Sequence, residues 1–290
     1  MRPKAFEYHA PVSVGEALQL LSASEDAKIL AGGQSLMTLM KLRLVAPSSL
    51  IDINRISQLN YIREEPDRIS IGALTRHDQV SSSPLVNARC RLLAEAASVV
   101  ADQQVRNRGS IGGSLAHADP SADMPVACTA LNAELKLTSK EGSRTVAARE
   151  FFLGFFTTVL RRDEIIEEIR IPLPGSRSGG AYEKLTKGHN DFALVAVAAQ
   201  CSLNSEHVCD GINVVLGGVE QKPTHATMTE SNLLHKRMDG HVIHEAAMEA
   251  DAGLTLTIDP RASEDVKRSL IRTLTGRALR VAFGRALEAT

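Results

Sequence analysis

Two Gly-Gly segments in the first half of the chain constrain its fold more than any other feature. They are Ala31-Gly32-Gly33-Gln34-Ser35-Leu36 and Gly109-Ser110-Ile111-Gly112-Gly113-Ser114-Leu115, and each sets its glycine pair before polar residues and a leucine. Lacking a Cβ, glycine lets backbone N–H groups crowd around an oxyanion, and the start of a following helix adds partial positive charge. A dinucleotide carries two phosphates, so two such loops suit a grip on one pyrophosphate from opposite sides. The plainer reading of one Gly-Gly pair is a tight turn. No Lys-Ser or Lys-Thr follows with Walker spacing and neither segment is G-x-G-x-x-G, so the site is neither a P-loop nor a Rossmann turn.

The surrounding pattern alternates short strands and helices. Phe6 to Tyr8 reads as extended, and Ser13 and Glu16 have capping-box spacing before a helix with Val14, Ala17, Leu18 and Leu21 on one face. Lys28 to Ala31 is strand-like before the first glycine pair, and Leu36, Leu39, Met40 and Leu44 then recur at helical spacing. Leu50 to Ile53 and Ile69 to Ile71 read as strands, 84 to 100 as helix, and 107 to 120 as a long polar loop, with Ser121 capping a helix through Leu131. Glu134 to Thr138 and Arg144 to Ala147 form a hairpin, and Glu164 to Ile171 another strand.

Pro172, Pro174, Gly175, Ser176, Ser178, Gly179 and Gly180 then mark a boundary. Beyond it, Ala181 to Leu185, Ala193 to Leu203 and Val208 to Val219 fit an antiparallel sheet, and helices dominate to the end. The last helix, about 264 to 288, places Val266, Leu270, Leu274, Ala278 and Val281 on one stripe, with Arg268, Arg272, Arg277, Arg280 and Arg285 expected on a solvated face.

Composition removes several classes of function. With 290 residues, 43% hydrophobic, and 33 basic against 34 acidic side chains, the chain can bury two cores and carries no net field to hold nucleic acid. No apolar run approaches the roughly 20 residues of a membrane span and no signal-peptide pattern opens the chain, which predicts a cytoplasmic protein. Cys90, Cys128, Cys201 and Cys209 make no C-x-x-C pair and are expected to be buried, reduced thiols rather than ligands of zinc or an iron–sulfur cluster.

After the second loop runs Ala116-His117-Ala118-Asp119-Pro120-Ser121-Ala122-Asp123-Met124-Pro125. As a metal site it lacks further ligands. As nucleotide contacts, Asp119 or Asp123 accepts ribose hydroxyls and Ser114 donates to phosphate, whereas the plain reading makes His117 a loop residue bonded to nearby backbone.

At these residues the sequence resembles the FAD-binding medium subunits of the molybdenum hydroxylases, including carbon monoxide dehydrogenase, bacterial N-heterocycle dehydrogenases and the flavin domain of xanthine dehydrogenase. The matching stretches are AGGQSL at 31 to 36, MKLRL at 40 to 44, IGALTRH at 71 to 77, QVRNRGSIGGSLAHADPSADMP at 104 to 125, GAYEKL at 180 to 185 and DFALVAVAA at 191 to 199. The resemblance implies an α+β fold. Two small α/β subdomains, about 1–55 and 56–174, form an FAD-binding domain of the vanillyl-alcohol-oxidase type, and 181–290 form a C-terminal domain with a three-stranded antiparallel sheet and helices.

It further implies that Gly32, Gly33, Gln34, Ser35 and Leu36, with Ser110, Ile111, Gly112, Gly113 and Ser114, surround the FAD pyrophosphate, and that Ala31, His117 and Asp119 belong to the same cofactor site. By the same likeness Asp123 contacts the nucleotide, and Lys184 and Phe192 lie near the isoalloxazine. From the residues alone, Phe192 reads as core. Ser114 stands where several relatives have Asn, and Phe192 replaces a Tyr, so it offers the flavin no hydroxyl.

The function implied is electron transfer: substrate is oxidised at a molybdenum cofactor on a large partner subunit, two iron–sulfur clusters on a small partner subunit relay the electrons, and FAD here collects them. The assembly expected is a dimer of heterotrimers. No residue of this chain is expected to be catalytic toward the organic substrate or to bind metal. The alternatives are a self-sufficient FAD-dependent oxidoreductase of the same fold and a non-redox nucleotide-binding module. Substrate and electron acceptor, whether quinone, cytochrome, NAD or oxygen, stay open.

Overall fold

The computed structural model describes residues 2–289. Its first unit is a parallel sheet in the order β1-β3-β2, built from β1 (Glu7–His9), β2 (Ala27–Leu30) and β3 (Ser49–Asp52). Helix α1 (Val14–Ala23) crosses from β1 to β2, and α2 (Leu36–Lys41) follows the first glycine loop. Ser13 caps α1 as expected, accepting from the Glu16 N–H, but the Glu16 carboxylate reaches one residue further back, to the Val12 N–H. Ala17, Leu18 and Leu21 turn inward onto Ile51, Ile53 and Ile56.

The second unit is a five-stranded sheet in the order β4-β5-β10-β6-β7. Its strands are β4 (Ile62–Glu64), β5 (Arg68–Gly72), β6 (Glu134–Ser139), β7 (Gly142–Ala147) and β10 (Ile165–Pro172), all antiparallel to their neighbours. Between β5 and β6 run α3 (His77–Ser82), α4 (Pro84–Arg89), α5 (Arg91–Ser98), α6 (Gln103–Arg106), α7 (Ile111–His117) and α8 (Asp123–Ala130). The helix expected over 84–100 is thus two, divided at Cys90, whose non-helical backbone (φ −149°, ψ 56°) breaks the run.

The segment 107–120, expected to be loop, contains α7. Two glycines in a helix are unfavourable by about 1 kcal/mol each relative to alanine, and tertiary contact overrides that cost. The Ser110 hydroxyl caps the Gly113 N–H, and the Ile111 and Gly112 N–H groups donate to the Thr75 and Ala73 carbonyls in the segment that follows β5. The cap expected at Ser121 moves to Ala122, because the Asp119 carboxylate takes the Ser121 N–H into a turn. After β7 come α9 (Ala148–Phe151) and a small hairpin of β8 (Phe152–Gly154) and β9 (Thr157–Thr158).

The third unit is the antiparallel sheet β11-β12-β13-β14: β11 (Ser178–Thr186), β12 (Ala193–Leu203), β13 (Cys209–Gly217) and the two-residue edge strand β14 (Thr224–His225). It holds the three long strands expected plus that short fourth. Strand β12 is buried on both faces with period two: Ala196 and Ala198 join the core of the second unit, while Val195, Val197, Ala199 and Cys201 face the third unit's own core. Helices α10 (Thr227–Leu233), α11 (Gly240–Met248) and α12 (Glu264–Glu288) cover that outer face.

Helix α12 has the bounds expected, but its buried stripe is rotated. Val266 and Val281 are exposed, and Ile271, Leu274, Ala278, Leu279, Ala282 and Phe283 face inward. Nor are its arginines uniformly solvated. Arg268 and Arg272 both bind the buried Asp251 carboxylate and Arg285 pairs with Glu95 on α5, leaving Arg277 and Arg280 exposed. Burial pushes the Asp251 carboxyl upward, but the hydrogen bonds from Arg272 and Arg268 outweigh it and hold the pKa below the ordinary carboxylate range.

All four cysteines are free and buried. Among the described residues no helix is long and apolar enough to cross a membrane, and no cluster of three or more His, Cys, Asp or Glu could hold a metal ion.

Candidate cofactor site

The first glycine loop runs from the end of β2 to the start of α2. Among the described residues, the backbone N–H groups of Gly32, Gly33, Gln34, Ser35 and Leu36 find no protein acceptor, so a row of donors stands open toward an anion. Gly33 has a left-handed backbone (φ 73°), which a side chain would strain. Gln34 is exposed and folds its amide back onto the Gly32 carbonyl at 3.0 Å. A cleft of about 290 Å³ opens beside the loop, lined among others by Gly33, Thr38, Lys41, Asp52, Asn54 and Arg108.

The second loop meets the first through Gly32. A Cβ there would collide with the Arg108 carbonyl oxygen and stand 2.7 Å from Gly109 Cα. Gly32 is therefore a contact between loops, and its lack of a side chain allows the close approach. Gly112 has a comparable task inside its own unit, since a Cβ would lie 2.8 Å from the Ala73 carbonyl oxygen. Ile111 is fully buried and its N–H is used, so it anchors the loop to the sheet. Gly113 and Ser114 are half-buried, and a Cβ on Gly113 would sit 3.8 Å from that of Ala31.

A chain of side chains joins the loops further. Asn54 donates its amide to the Ala31 carbonyl at 2.8 Å and accepts from Arg76 Nη2 at 2.6 Å, and Arg76 Nη1 donates to the Arg108 carbonyl at 2.7 Å. Asp52 accepts from the Asn54 amide at 2.6 Å and from the Tyr8 hydroxyl at 2.6 Å. Asn54 does not stand out in the sequence, because a lone Asn after a strand has no pattern, and Arg76, though inside the IGALTRH stretch, has no expected role there.

Behind the second loop lies His77, only 4% exposed, with its backbone N–H donating to the Gly109 carbonyl and, among the described residues, no partner for the ring Nδ1. Burial first, then Arg76 and Arg106, lowers its pKa to about 4. The imidazole is neutral at physiological pH.

At the C-terminal end of α7, the His117 ring stacks at a tilt on Phe156 with centroids 5.1 Å apart, and burial lowers its pKa. Seven helical residues at about 1.5 Å each set this end roughly 10 Å from the glycine loops. Here the structure brings together two residues that sequence reasoning assigned to different parts of a cofactor. Asp123, 5% exposed, accepts from Lys184 Nζ at 3.0 Å and from the Tyr182 hydroxyl at 2.8 Å. Lys184 also donates to the Val99 carbonyl at 3.1 Å.

The pair ties the second unit to the third. Burial raises the Asp123 pKa, and Lys184 and Tyr182 pull against that rise. Phe192, expected as core from the residues alone, is instead 52% exposed at the start of β12, its carbonyl held by Arg261. It stands at the same end of the β11–β12 hairpin as Lys184.

The arrangement fits an elongated dinucleotide: open backbone donors at one end of α7, and an aromatic ring with buried polar groups at the other. Lys184 and Asp123 are paired with each other, and His77 is packed away behind the loop.

Comparison with known proteins identifies the family and the fold. The family described as the FAD binding domain in molybdopterin dehydrogenase matches residues 4–174, and the CO dehydrogenase flavoprotein C-terminal domain matches 180–282. The carbon monoxide dehydrogenase medium chain of Hydrogenophaga pseudoflava is 43% identical over 98% of this chain and 99% of its own. The glyceraldehyde dehydrogenase medium chain of Sulfolobus acidocaldarius is 37% identical over 97% of this chain and 99% of its own. Among solved structures, the Hydrogenophaga pseudoflava carbon monoxide dehydrogenase superposes with a TM-score of 0.94, at 43% identity over 98% of this chain and 99% of that one. Quinoline 2-oxidoreductase of Pseudomonas putida 86 superposes with a TM-score of 0.93, at 35% identity over 99% of this chain and 100% of that one.

Proposed function

This chain belongs to the FAD-binding family of the molybdopterin dehydrogenases, and from that premise we infer that it is the electron outlet of a three-subunit enzyme. It is the FAD-carrying medium subunit of a molybdenum-dependent hydroxylase or dehydrogenase, an oxidoreductase whose molybdenum cofactor and iron–sulfur clusters lie on partner chains. In our reading residues 1–174 form the FAD domain and 181–290 the C-terminal domain. The assembly is a cytoplasmic dimer of heterotrimers, with one small iron–sulfur subunit and one large molybdenum subunit in each half.

The observation that carries the reading is the meeting of the two glycine loops, with a row of open N–H donors on the first. We assign residues 31–36, Ser110, Gly113 and Ser114 to the pyrophosphate, with Ile111 and Gly112 shaping the second loop from behind. His117, Asp119, Asp123, Lys184 and Phe192 are assigned to the far end of α7, where the ring system lies. Bound FAD supplies one- and two-electron exchange. The chain's own residues would hold the diphosphate and orient the ring, and the buried Asp123–Lys184 pair would brace the ring end of the site.

The test is co-purification with an iron–sulfur chain and a large molybdenum chain, followed by substrate-driven bleaching of the flavin absorbance. Turnover of substrate by the isolated chain would favour a self-sufficient oxidoreductase instead. A purified chain that neither shows a flavin spectrum nor takes up added FAD would favour the nucleotide-binding module. Gly33→Val, which forces a β-branched side chain into a left-handed backbone, is expected to abolish FAD retention in a folded protein.

A further inference from the structure

The two glycine loops come from different sheets, and among the described residues no backbone hydrogen bond joins 31–36 to 108–115. What holds them in register, apart from the close approach at Gly32, is a relay of three side-chain hydrogen bonds. It runs from the Ala31 carbonyl to Asn54, from Asn54 to Arg76, and from Arg76 to the Arg108 carbonyl, at 2.8, 2.6 and 2.7 Å. Each end of the relay lies one residue before a glycine, Gly32 in the first loop and Gly109 in the second.

We propose that Arg76 is a positioning residue for the cofactor: its guanidinium, forked between Asn54 and the Arg108 carbonyl, sets the separation of the two loops that grip the diphosphate. This rests on the two-loop reading above.

Three features of the geometry support it. Asn54 has one orientation that satisfies all its partners, with the amide nitrogen toward the Ala31 carbonyl and Asp52, and the amide oxygen toward Arg76. Asp52 in turn is fixed by the Tyr8 hydroxyl and the Asn54 N–H, so the relay begins on a braced residue. And Arg76 is half-buried, makes no direct ion pair among the described residues and meets the Asp52 carboxylate only through Asn54, so its two hydrogen-bond acceptors here are a neutral amide and a neutral carbonyl. A cation placed for charge alone would be expected beside an acid. A planar fork with two donors at fixed spacing is what such a bridge requires, and the single nitrogen of lysine cannot span it.

The experiment is an FAD titration, followed by flavin fluorescence quenching, on the flavin-stripped full chain and its variants Arg76→Gln, Arg76→Lys, Asn54→Leu, the double Arg76→Gln/Asn54→Leu, and Gly33→Val. ADP, which carries the diphosphate without the flavin, is titrated in parallel by competition. Both Arg76 variants are expected to bind FAD about ten- to a hundredfold more weakly, with ADP losing the same factor. The double variant is expected to bind within about twofold of Arg76→Gln alone, because both changes cut one relay.

Wild-type affinity in Arg76→Lys would overturn the proposal, since charge without the fork would then suffice. Losses that multiply in the double variant would overturn it too, since the residues would then act separately. If Gly33→Val loses FAD while Arg76→Gln keeps it, the positioning role fails and the two-loop cradle stands. If Gly33→Val binds FAD normally, the cradle itself fails.

Discussion

Acid should loosen this protein at His77 before it titrates most of the carboxylates. In the folded chain the imidazole is held neutral, with its pKa lowered from 6.5 to about 4, first by burial and then by Arg76 and Arg106. A histidine depressed in the folded state contributes stability that is present above its unfolded pKa and is lost as pH falls through the window from 6.5 toward 4, because the unfolded chain takes up the proton first. With these two values, linkage gives a loss of about 2 kcal/mol on going from pH 8 to pH 5, and about 3 kcal/mol when the window has been crossed.

The structural consequence is local. The His77 backbone N–H donates to the Gly109 carbonyl, and its ring fills the space a Gly109 side chain would need, with Cδ2 2.8 Å from that Cβ position. Protonation leaves that backbone bond in place but puts a charge into the buried ring packed against Gly109, behind the second glycine loop. The assay is urea unfolding between pH 8 and 5 for the wild type and for His77→Gln, which is neutral throughout. His77→Gln starts less stable at pH 8 and declines more shallowly, so the two curves converge by about 2 kcal/mol at pH 5. Parallel curves would refute the reasoning, because the buried imidazole would then not be the group that titrates.

Two further changes test how the site is held. Gly32→Ala meets backbone, not a side chain that can swing away: 2.7 Å to Gly109 Cα must open toward the 3.4 Å of ordinary contact. A separation of the loops at a cost of about 1–3 kcal/mol is expected, read as a lower melting temperature and weaker FAD binding, whereas Gly15→Ala, with nothing within 4 Å, should leave both unharmed. Removing one partner of the buried pair, by Asp123→Asn or Lys184→Met, is expected to cost about 3–5 kcal/mol by stranding the other. The double variant should recover part of that loss, and additive losses in a double-mutant cycle would show that the residues do not act as a pair.

Much of the backbone was legible. The period-two run from Ala193 to Leu203 and the capped amphipathic run from Glu264 to Glu288 are observed with the bounds expected, because both are long and their patterns repeat many times. Shorter signals failed where tertiary contact overruled local preference. The Gly112-Gly113 pair reads as loop, yet the Ala73 and Thr75 carbonyls and the Ser110 hydroxyl wind it into a helix. The stripe on α12 was misplaced for a related reason. Lys267 sits 2% exposed on the inner face, bonded to the Gly218 carbonyl and paired with Asp259, and no count of apolar residues anticipates a lysine that belongs to the interior.

The two ends of the cofactor site were legible to different degrees because they are encoded differently. The proposed diphosphate end would work through backbone N–H groups, and such a site needs glycines in sequence order, which are visible in the chain. The proposed ring end would work through side chains that only the packing of the third sheet on the second unit brings together. Asp123 and Lys184 lie 61 positions apart and meet at 3.0 Å because Ala196 and Ala198 on β12 are small enough to let α8 approach that sheet closely. Asn54 and Arg76 combine the two cases, since their task is to hold backbone while their contacts span 22 and 32 positions. A substitution at an alanine of β12 should therefore disturb the ring end and spare the diphosphate end, whereas one at Arg76 should do the reverse. The site thus divides along the same line that divides what sequence reasoning could reach from what it could not.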